Sequence, residues 1–289
     1  MLKTAAMDFG MMFANVGPFG EPDGAAEVGT ICEECGIESV WTVEHVVVPT
    51  GYASEYPYSG NGRMPGNEQS PIPDPLVWLC FVAAHTTRLR LATGILILPQ
   101  RNPVVLAKEV ATLDRLSKGR VTLGIGVGWL REEFDALSVP FTERGARTDE
   151  HVAVMRALWS GESVDFDGRF TTLAGANVFP HPAQERIPIV IGGHTDAAAR
   201  RAGRLGDGFM PGKGDWPALQ RTMRAAAVDA GRDPDAIEIT RGGALDRDSV
   251  QRMADEGTHR FILPPLAFDP VGLRDALSRF ADEVITKVT

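Results

Sequence analysis

Leu89-Arg-Leu-Ala-Thr-Gly-Ile95, followed after five residues by Arg101-Asn-Pro-Val-Val-Leu-Ala-Lys-Glu-Val-Ala-Thr-Leu-Asp-Arg-Leu-Ser-Lys-Gly-Arg120 and then by Val121-Thr-Leu-Gly-Ile-Gly-Val127, reads as strand, helix and strand. The flanking runs are almost continuously apolar, as strands covered on both faces are. Between them Asn102 and Pro103 supply an N-cap and a first turn, Leu106, Val110 and Leu113 line one face, and Gly119 stops the helix. Alternation of this kind predicts a parallel sheet.

The cycle recurs about eight times. Candidate strands are Asp8 to Phe13, Ser39 to Val43, Leu89 to Ile95, Val121 to Val127, Ile187 to Ile191, Asp207 to Met210, Ile237 to Thr240 and Arg260 to Leu263. The last helix repeats the punctuation: Asp269 precedes Pro270, and Leu273, Leu277, Phe280 and Val284 share a face. Together these predict an α/β fold, one (β/α)8 TIM barrel occupying residues 1–289 as a single domain. A chain of this length buries roughly three quarters of its unfolded surface, so the core needs no covalent help.

Two segments break the rhythm. Residues 45–74, dense in Gly, Pro, Ser and Asn, form a long loop after strand two and contain all three tyrosines, Tyr52, Tyr56 and Tyr58. Such a loop reads as a lid at the end of the barrel where active sites lie, so these tyrosines and Arg63 are expected to meet a substrate. Residues 161–186 set Asp167-Gly168 among Val164, Phe166 and Phe170, which predicts a small hairpin insertion before strand five, placed at the quiet N-terminal end.

The net charge of −9, with 38 acidic and 29 basic residues and no basic stripe, argues against nucleic acid as a partner. Neither a signal-peptide pattern nor an apolar run of about 18 residues is present, so a cytoplasmic protein without membrane partners is expected. Cys32 and Cys35 enclose two glutamates and read as structural. Arg outnumbers Lys by 24 to 5, a high-GC signature that bears on which cofactors are available.

Three motifs carry candidate chemistry. Glu44 and His45 follow strand two, where a partly exposed imidazole can exchange protons near neutrality. Gly192-Gly193-His194-Thr195 closes strand five and opens a helix, whose free N–H groups and partial positive charge suit a phosphate. Gly124, Gly126 and Gly128 alternate through strand four, so they read as thinning the barrel wall for a flat ring, not as a dinucleotide turn.

The order and spacing of Ser39-Val-Trp-Thr-Val-Glu-His45, Thr93-Gly94-Ile95, Arg101 to Arg120, Gly126-Val-Gly-Trp-Leu-Arg-Glu-Glu-Phe134, Gly192-Gly193 and Gly206-Asp207-Gly208 resemble the luciferase-like family of flavin- or deazaflavin-dependent barrels, over almost the whole chain. The resemblance implies a ring over the ends of strands three and four, supported by Thr93, Gly94 and Ile95, with a non-proline cis peptide in that stretch and Gly128 and Trp129 beside the ring. It implies a phosphate at Gly193. The family's deazaflavin dehydrogenase branch is similar at Glu44-His45 but carries an acidic residue where Trp129 stands, so sugar phosphate is not the expected substrate.

The expected activity is hydride transfer between coenzyme F420 and a small organic substrate, with His45 exchanging the proton and Glu44 orienting it or touching the cofactor. The alternative is an FMN-dependent monooxygenase that activates oxygen; a non-catalytic cofactor binder is the third reading. No metal is expected, because the six histidines show no paired ligand spacing. None of the five lysines ends a strand, which disfavours a Schiff base. Arg63 and Lys213 are the cations expected to meet the polyanionic F420 tail. A homodimer is one assembly the sequence leaves open.

Overall fold

The computed structural model describes residues 7–288, so the first six residues and the last of the expected domain lie outside the described part. Nine of its eleven strands belong to one parallel sheet. In chain order they are β1 (Asp8–Met12), β2 (Ser39–Thr42), β3 (Arg90–Thr93), β4 (Leu96–Ile97), β5 (Val121–Gly126), β8 (Ile189–Gly192), β9 (Gly208–Met210), β10 (Glu238–Arg241) and β11 (Arg260–Leu263). Pairing of β1 with β11 and of β3 with β5 closes eight of them into a ring, and two-residue β4 lies outside it against β5. The (β/α)8 barrel read from the sequence is the fold.

Around the ring stand α1 (Pro22–Glu34), α2 (Pro75–His85), α3 (Pro103–Leu116), α4 (Arg131–Ala136), α5 (Arg144–Trp159), α6 (Asp196–Leu205), α7 (Trp216–Asp229), α8 (Arg247–Asp255) and α9 (Pro270–Glu283). Asn102 caps α3 through Val104 N and Val105 N, and Asp269 caps α9 through Gly272 N. Both caps satisfy donors that a helix start leaves open.

Side-chain alternation along each strand divides the core in two. Phe9, Met11, Leu91, Leu123, Ile125, Ile189, Phe209 and Phe261 join the large cluster that the helices cover. Trp41, Ala92, Val190 and Met210 form a separate core inside the ring, topped by partly buried Met12, Ile95 and Ile262. Below Trp41, buried Arg260 plugs the lumen, paired with Glu38 at 3.1 Å, Glu238 at 3.2 Å and Asp8 at 3.5 Å. The lumen is therefore packed, and only its upper rim can hold a ligand.

The predicted hairpin exists as β6 (Val164–Asp167) and β7 (Thr172–Ala176), with Gly168 N donating to Thr171 O in the turn. Its placement differs from expectation. The segment that follows it is tied to the N-terminal end, where Asp114 accepts from Ala183 N and Gln184 N, but its turn climbs the barrel wall. Phe170 to Leu173 share a cleft of about 400 Å³ with Pro99 to Val104, beyond β3. Five extended residues span about 16 Å, enough to travel the height of a short barrel strand.

Candidate active site

The long loop is pinned at both ends by two side chains. Asn15, fully buried after β1, accepts from Val43 N at 2.9 Å while its amide donates to Val43 O and, at 3.2 Å, to Pro73 O. Arg101, beyond β4, donates to the Glu44 carboxylate through two nitrogens and to Asp74 Oδ2 at 2.7 Å. Asp74 is also the N-cap of α2. Successive residues at the start and finish of the loop are thus clamped by one amide and one guanidinium.

Glu44 therefore faces away from the histidine it was expected to orient. Its other oxygen accepts from Ile97 N at 2.5 Å, which fixes the path of the chain out of β3. Burial pushes this carboxyl above the ordinary glutamate value, against the opposing pull of Arg101 and the Ile97 N–H.

His45 pairs instead with Glu133, a fully buried residue of α4 that the sequence reading quoted in a motif but gave no role. Nδ1 of His45 lies 3.1 Å from Glu133 Oε2, and Oε1 accepts from Val46 N at 2.6 Å and Val47 N at 3.3 Å. Adjacent Glu132 does the same one step along the loop, accepting from Ala53 N, Ser54 N and Ser54 Oγ. These hydrogen bonds hold the Glu132 carboxyl down at about 2.

Trp129 is the centre of an aromatic group: His45, Tyr52 and Tyr56 each meet it edge-on, with centroids 5.6, 5.6 and 5.2 Å away. Tyr52 is buried with Met64 and Leu130 in a small core of its own. Arg63 donates to Tyr52 O and stacks on the Tyr52 ring, so the cation expected to meet a substrate also has a role within the loop. Tyr58, still 43% exposed, reaches across the rim to the far strands. Its hydroxyl lies 3.2 Å from His194 Nδ1, and Lys213 donates to the neighbouring Pro57 O. Burial, with a smaller effect of Tyr56, pushes the Tyr58 phenol up to about 12, whereas burial and then Lys213 hold His194 below the usual imidazole value.

At the strand-three segment the Gly94–Ile95 peptide is cis, and the chain leaves the ring there, so the strand ends at Thr93 and not at Ile95. Thr93 is buried and its hydroxyl donates to Gly124 O at 2.6 Å, which leaves it no proton for a ligand. A Cβ at Gly124 would stand 1.9 Å from Thr93 O, and one at Gly126 2.7 Å from the Ile95 side chain. The alternating glycines make room for this protein's own backbone and for Ile95. Gly128, at φ +79°, makes the turn that presents Trp129; a Cβ there would stand 2.7 Å from Phe134.

Gly192 likewise yields its space to Ile95, whose side chain would lie 2.4 Å from a Cβ there. Gly193 has φ +139° and sits where a Cβ would come within 2.8 Å of Ala198, so the backbone itself demands glycine. Thr195 caps α6, accepting from Ala198 N at 3.2 Å. The Asp196 and Ala197 N–H groups, beside His194, have no acceptor among the described residues. Among the described residues no group of three or more His, Cys, Asp or Glu side chains could hold a metal ion, and no helix is long and apolar enough to cross a membrane.

Closed parallel barrels keep their reacting groups on the C-terminal rim, and His45, Trp129, Tyr56 and Tyr58 gather on that rim here. Residues 7–265 match the family model described as luciferase-like monooxygenase. An uncharacterized protein of Mycobacterium tuberculosis is 34% identical over 269 residues, 89% of this chain and 92% of its own. An F420-dependent glucose-6-phosphate dehydrogenase of Nocardia farcinica is 34% identical over 253 residues, 84% of this chain and 70% of that one. The crystal structure of monooxygenase RslO1 from Streptomyces bottropensis aligns over 98% of this chain and 100% of its own, with TM-score 0.76 and 25% identity. The chain belongs to the luciferase-like monooxygenase family and is an oxidoreductase of it.

Proposed function

We propose that the chain transfers a hydride between coenzyme F420 and a small organic substrate, with His45 handling the accompanying proton. The observation that carries this reading is the buried Glu133 carboxylate behind His45, at 3.1 Å, which holds the imidazole on the rim beside Trp129. A histidine so held is placed to exchange a proton with a substrate on the rim. The F420-dependent relative from Nocardia favours the deazaflavin over FMN.

The rim fits a ring with a phosphate. Ile95, Met12 and Ile262 are only partly buried above the lumen core and offer an apolar floor. The open N–H groups of α6, with Thr195, His194 and Lys213 nearby, suit the phosphate. When bound, the deazaflavin supplies hydride chemistry and the protein supplies position. Tyr56, Tyr58 and Trp129 would exclude water from the substrate side, and Arg63 and Lys213 would face the anionic tail. Trp129, where the resemblance implies an acid in the sugar-phosphate branch, favours an apolar substrate over a sugar phosphate.

Titration of F420 and of FMN into the protein at low and high salt tests the reading. F420 affinity that falls with salt supports it. Tight FMN binding with no F420 binding, accompanied by oxygen consumption, would move the activity to the monooxygenase alternative, which the likeness to RslO1 favours.

A further inference from the structure

We infer that Glu133 is a positioning residue that fixes the tautomer of His45. The neutral ring is held with its proton on Nδ1 and its lone pair on Nε2, so that His45 meets the substrate as a proton acceptor. This deepens the proposed hydride-transfer reading and rests on it for the use of His45, though not for the tautomer.

The argument starts from the carboxylate. Glu133 is 0% exposed, so bulk solvent does not reach its carboxylate. One oxygen, Oε1, accepts from two backbone N–H groups, Val46 at 2.6 Å and Val47 at 3.3 Å. A carboxylate is an acceptor at both oxygens, so Oε2 at 3.1 Å from His45 Nδ1 calls for a donor there. Two main-chain donors and one ring donor converge on a single buried group, and the residues that supply them are consecutive, His45 to Val47.

The opposite ring nitrogen, Nε2, has no protein partner among the described residues. The ring is also braced edge-on by Trp129 at 5.6 Å, and a 180° flip about Cβ–Cγ would set Cδ2 in place of Nδ1 and lose the Glu133 contact. Glu44, next in sequence, cannot substitute, because its oxygens are engaged by Ile97 and Arg101. The same carboxylate that fixes the tautomer also pins the first residues of the lid loop, so the orientation of His45 and the docking of the loop base form one unit.

Glu133→Gln tests the assignment with almost no change of shape. The carboxamide oxygen keeps the Val46 and Val47 N–H groups, and its NH2 then faces Nδ1 as a donor, which forces the ring proton onto Nε2. The readout is the pair of ring 15N shifts of His45 in histidine-labelled protein above pH 8, assigned by comparison with His45→Gln. Expected are a protonated Nδ1 in the parent and a protonated Nε2 in Glu133→Gln. Turnover should fall by about 10²-fold or more, with cofactor affinity little changed. Glu133→Asp should retain the parent's tautomer and part of its turnover.

A parent protein with its proton on Nε2 overturns the inference. That measurement needs no cofactor and no change at Glu133, so it stands even where Glu133→Gln fails to fold. A tautomer that switches as expected while turnover stays unchanged leaves Glu133 as the orienting group but removes His45 from the chemistry, which is the failure of the proposed function and not of this assignment.

Discussion

Replacing Arg101 by Met keeps most of the aliphatic stem and removes the guanidinium that pairs with the buried Glu44. The Glu44 side chain is 2% exposed and that of Arg101 18%. Breaking a buried pair by removing one partner costs about 3–5 kcal/mol. The lower end applies here, because Ile97 N still donates to Glu44 and the guanidinium edge is open to water. Asp74, 41% exposed on its side chain, adds at most about 1 kcal/mol. At roughly 2 °C per kcal/mol for a chain of this size, the melting temperature should drop by about 6–8 °C.

The loss should also depend on pH in a set direction. Burial already raises the Glu44 carboxyl, and losing the guanidinium raises it further. A carboxyl whose folded value lies above its unfolded value binds its proton more tightly when folded. Its favourable contribution is complete below the unfolded value and disappears as pH rises through the folded one. The deficit of Arg101→Met should therefore be largest at pH 8 and shrink towards pH 5. Urea unfolding of both proteins at pH 5, 6.5 and 8 measures this, and Glu44→Gln added to Arg101→Met should restore part of the stability at pH 8. A deficit under about 1 kcal/mol, or one that is the same at all three pH values, would refute the reasoning.

His45→Ala should leave the fold and F420 titration largely unchanged and reduce turnover by about 10²-fold or more; equal turnover would remove the imidazole from the mechanism. Gly193→Ala should unfold at lower denaturant than the parent even without ligand, since φ +139° and the 2.8 Å approach to Ala198 both oppose a Cβ; an unchanged midpoint would refute the strain. His194 is held below the ordinary imidazole value, so its contact with Tyr58 is complete above about pH 6.5 and weakens as acid protonates the ring. Protease nicking near Tyr58 should accordingly rise between pH 7.5 and 5.5, and a flat profile would count against a role of the Tyr58–His194 contact in holding the loop.

The fold was legible because several barrel strands bury both faces and so announce themselves as apolar runs, while α3 and α9 carry explicit caps at Asn102 and Asp269. The hairpin was legible in Asp167-Gly168, but its reach was not, since strand length and direction relative to the barrel depend on packing. Glu44 and Glu133 show the limit more sharply. Adjacency in sequence suggested that Glu44 serves His45, yet residues beyond a strand end point in different directions, and the partner comes from 88 positions away. The pair Glu132-Glu133 stood in the quoted motif, and two acids in a loop-to-helix junction beneath a Gly-rich loop were a signal for backbone anchoring. Asn15 carried no such signal, because a lone buried amide has no pattern in sequence.

The anchoring divides the lid into a fixed and a movable part. Asn15, Arg101 and Glu133 hold residues 43–47 and 73–74, and Glu132 with the buried Tyr52 holds residues 52–54. Between Ser59 and Ser70 the hydrogen bonds are mostly local to the loop: Ser59 with Asn61 and Arg63, and Asn67 with Gln69 and Ser70. Tyr58 ties the loop to His194, with Lys213 donating beside it, and Arg63 and Met64 N bond to Tyr52. Local bonds of this kind travel with a moving segment, whereas those to Glu132 and Glu133 must break. Opening should therefore swing residues 55–70 away, giving up the contacts of Arg63 and Met64 with Tyr52 and of Tyr56 with Trp129, while His45 stays on its carboxylate. Tyr58→Phe should increase cleavage within residues 55–70 and leave the His45 ring 15N shifts unchanged. Ligand binding should slow cleavage in that same window. Cleavage between residues 45 and 54, or a shift of the His45 signals in Tyr58→Phe, would show that the loop moves as a whole and that His45 is carried with it.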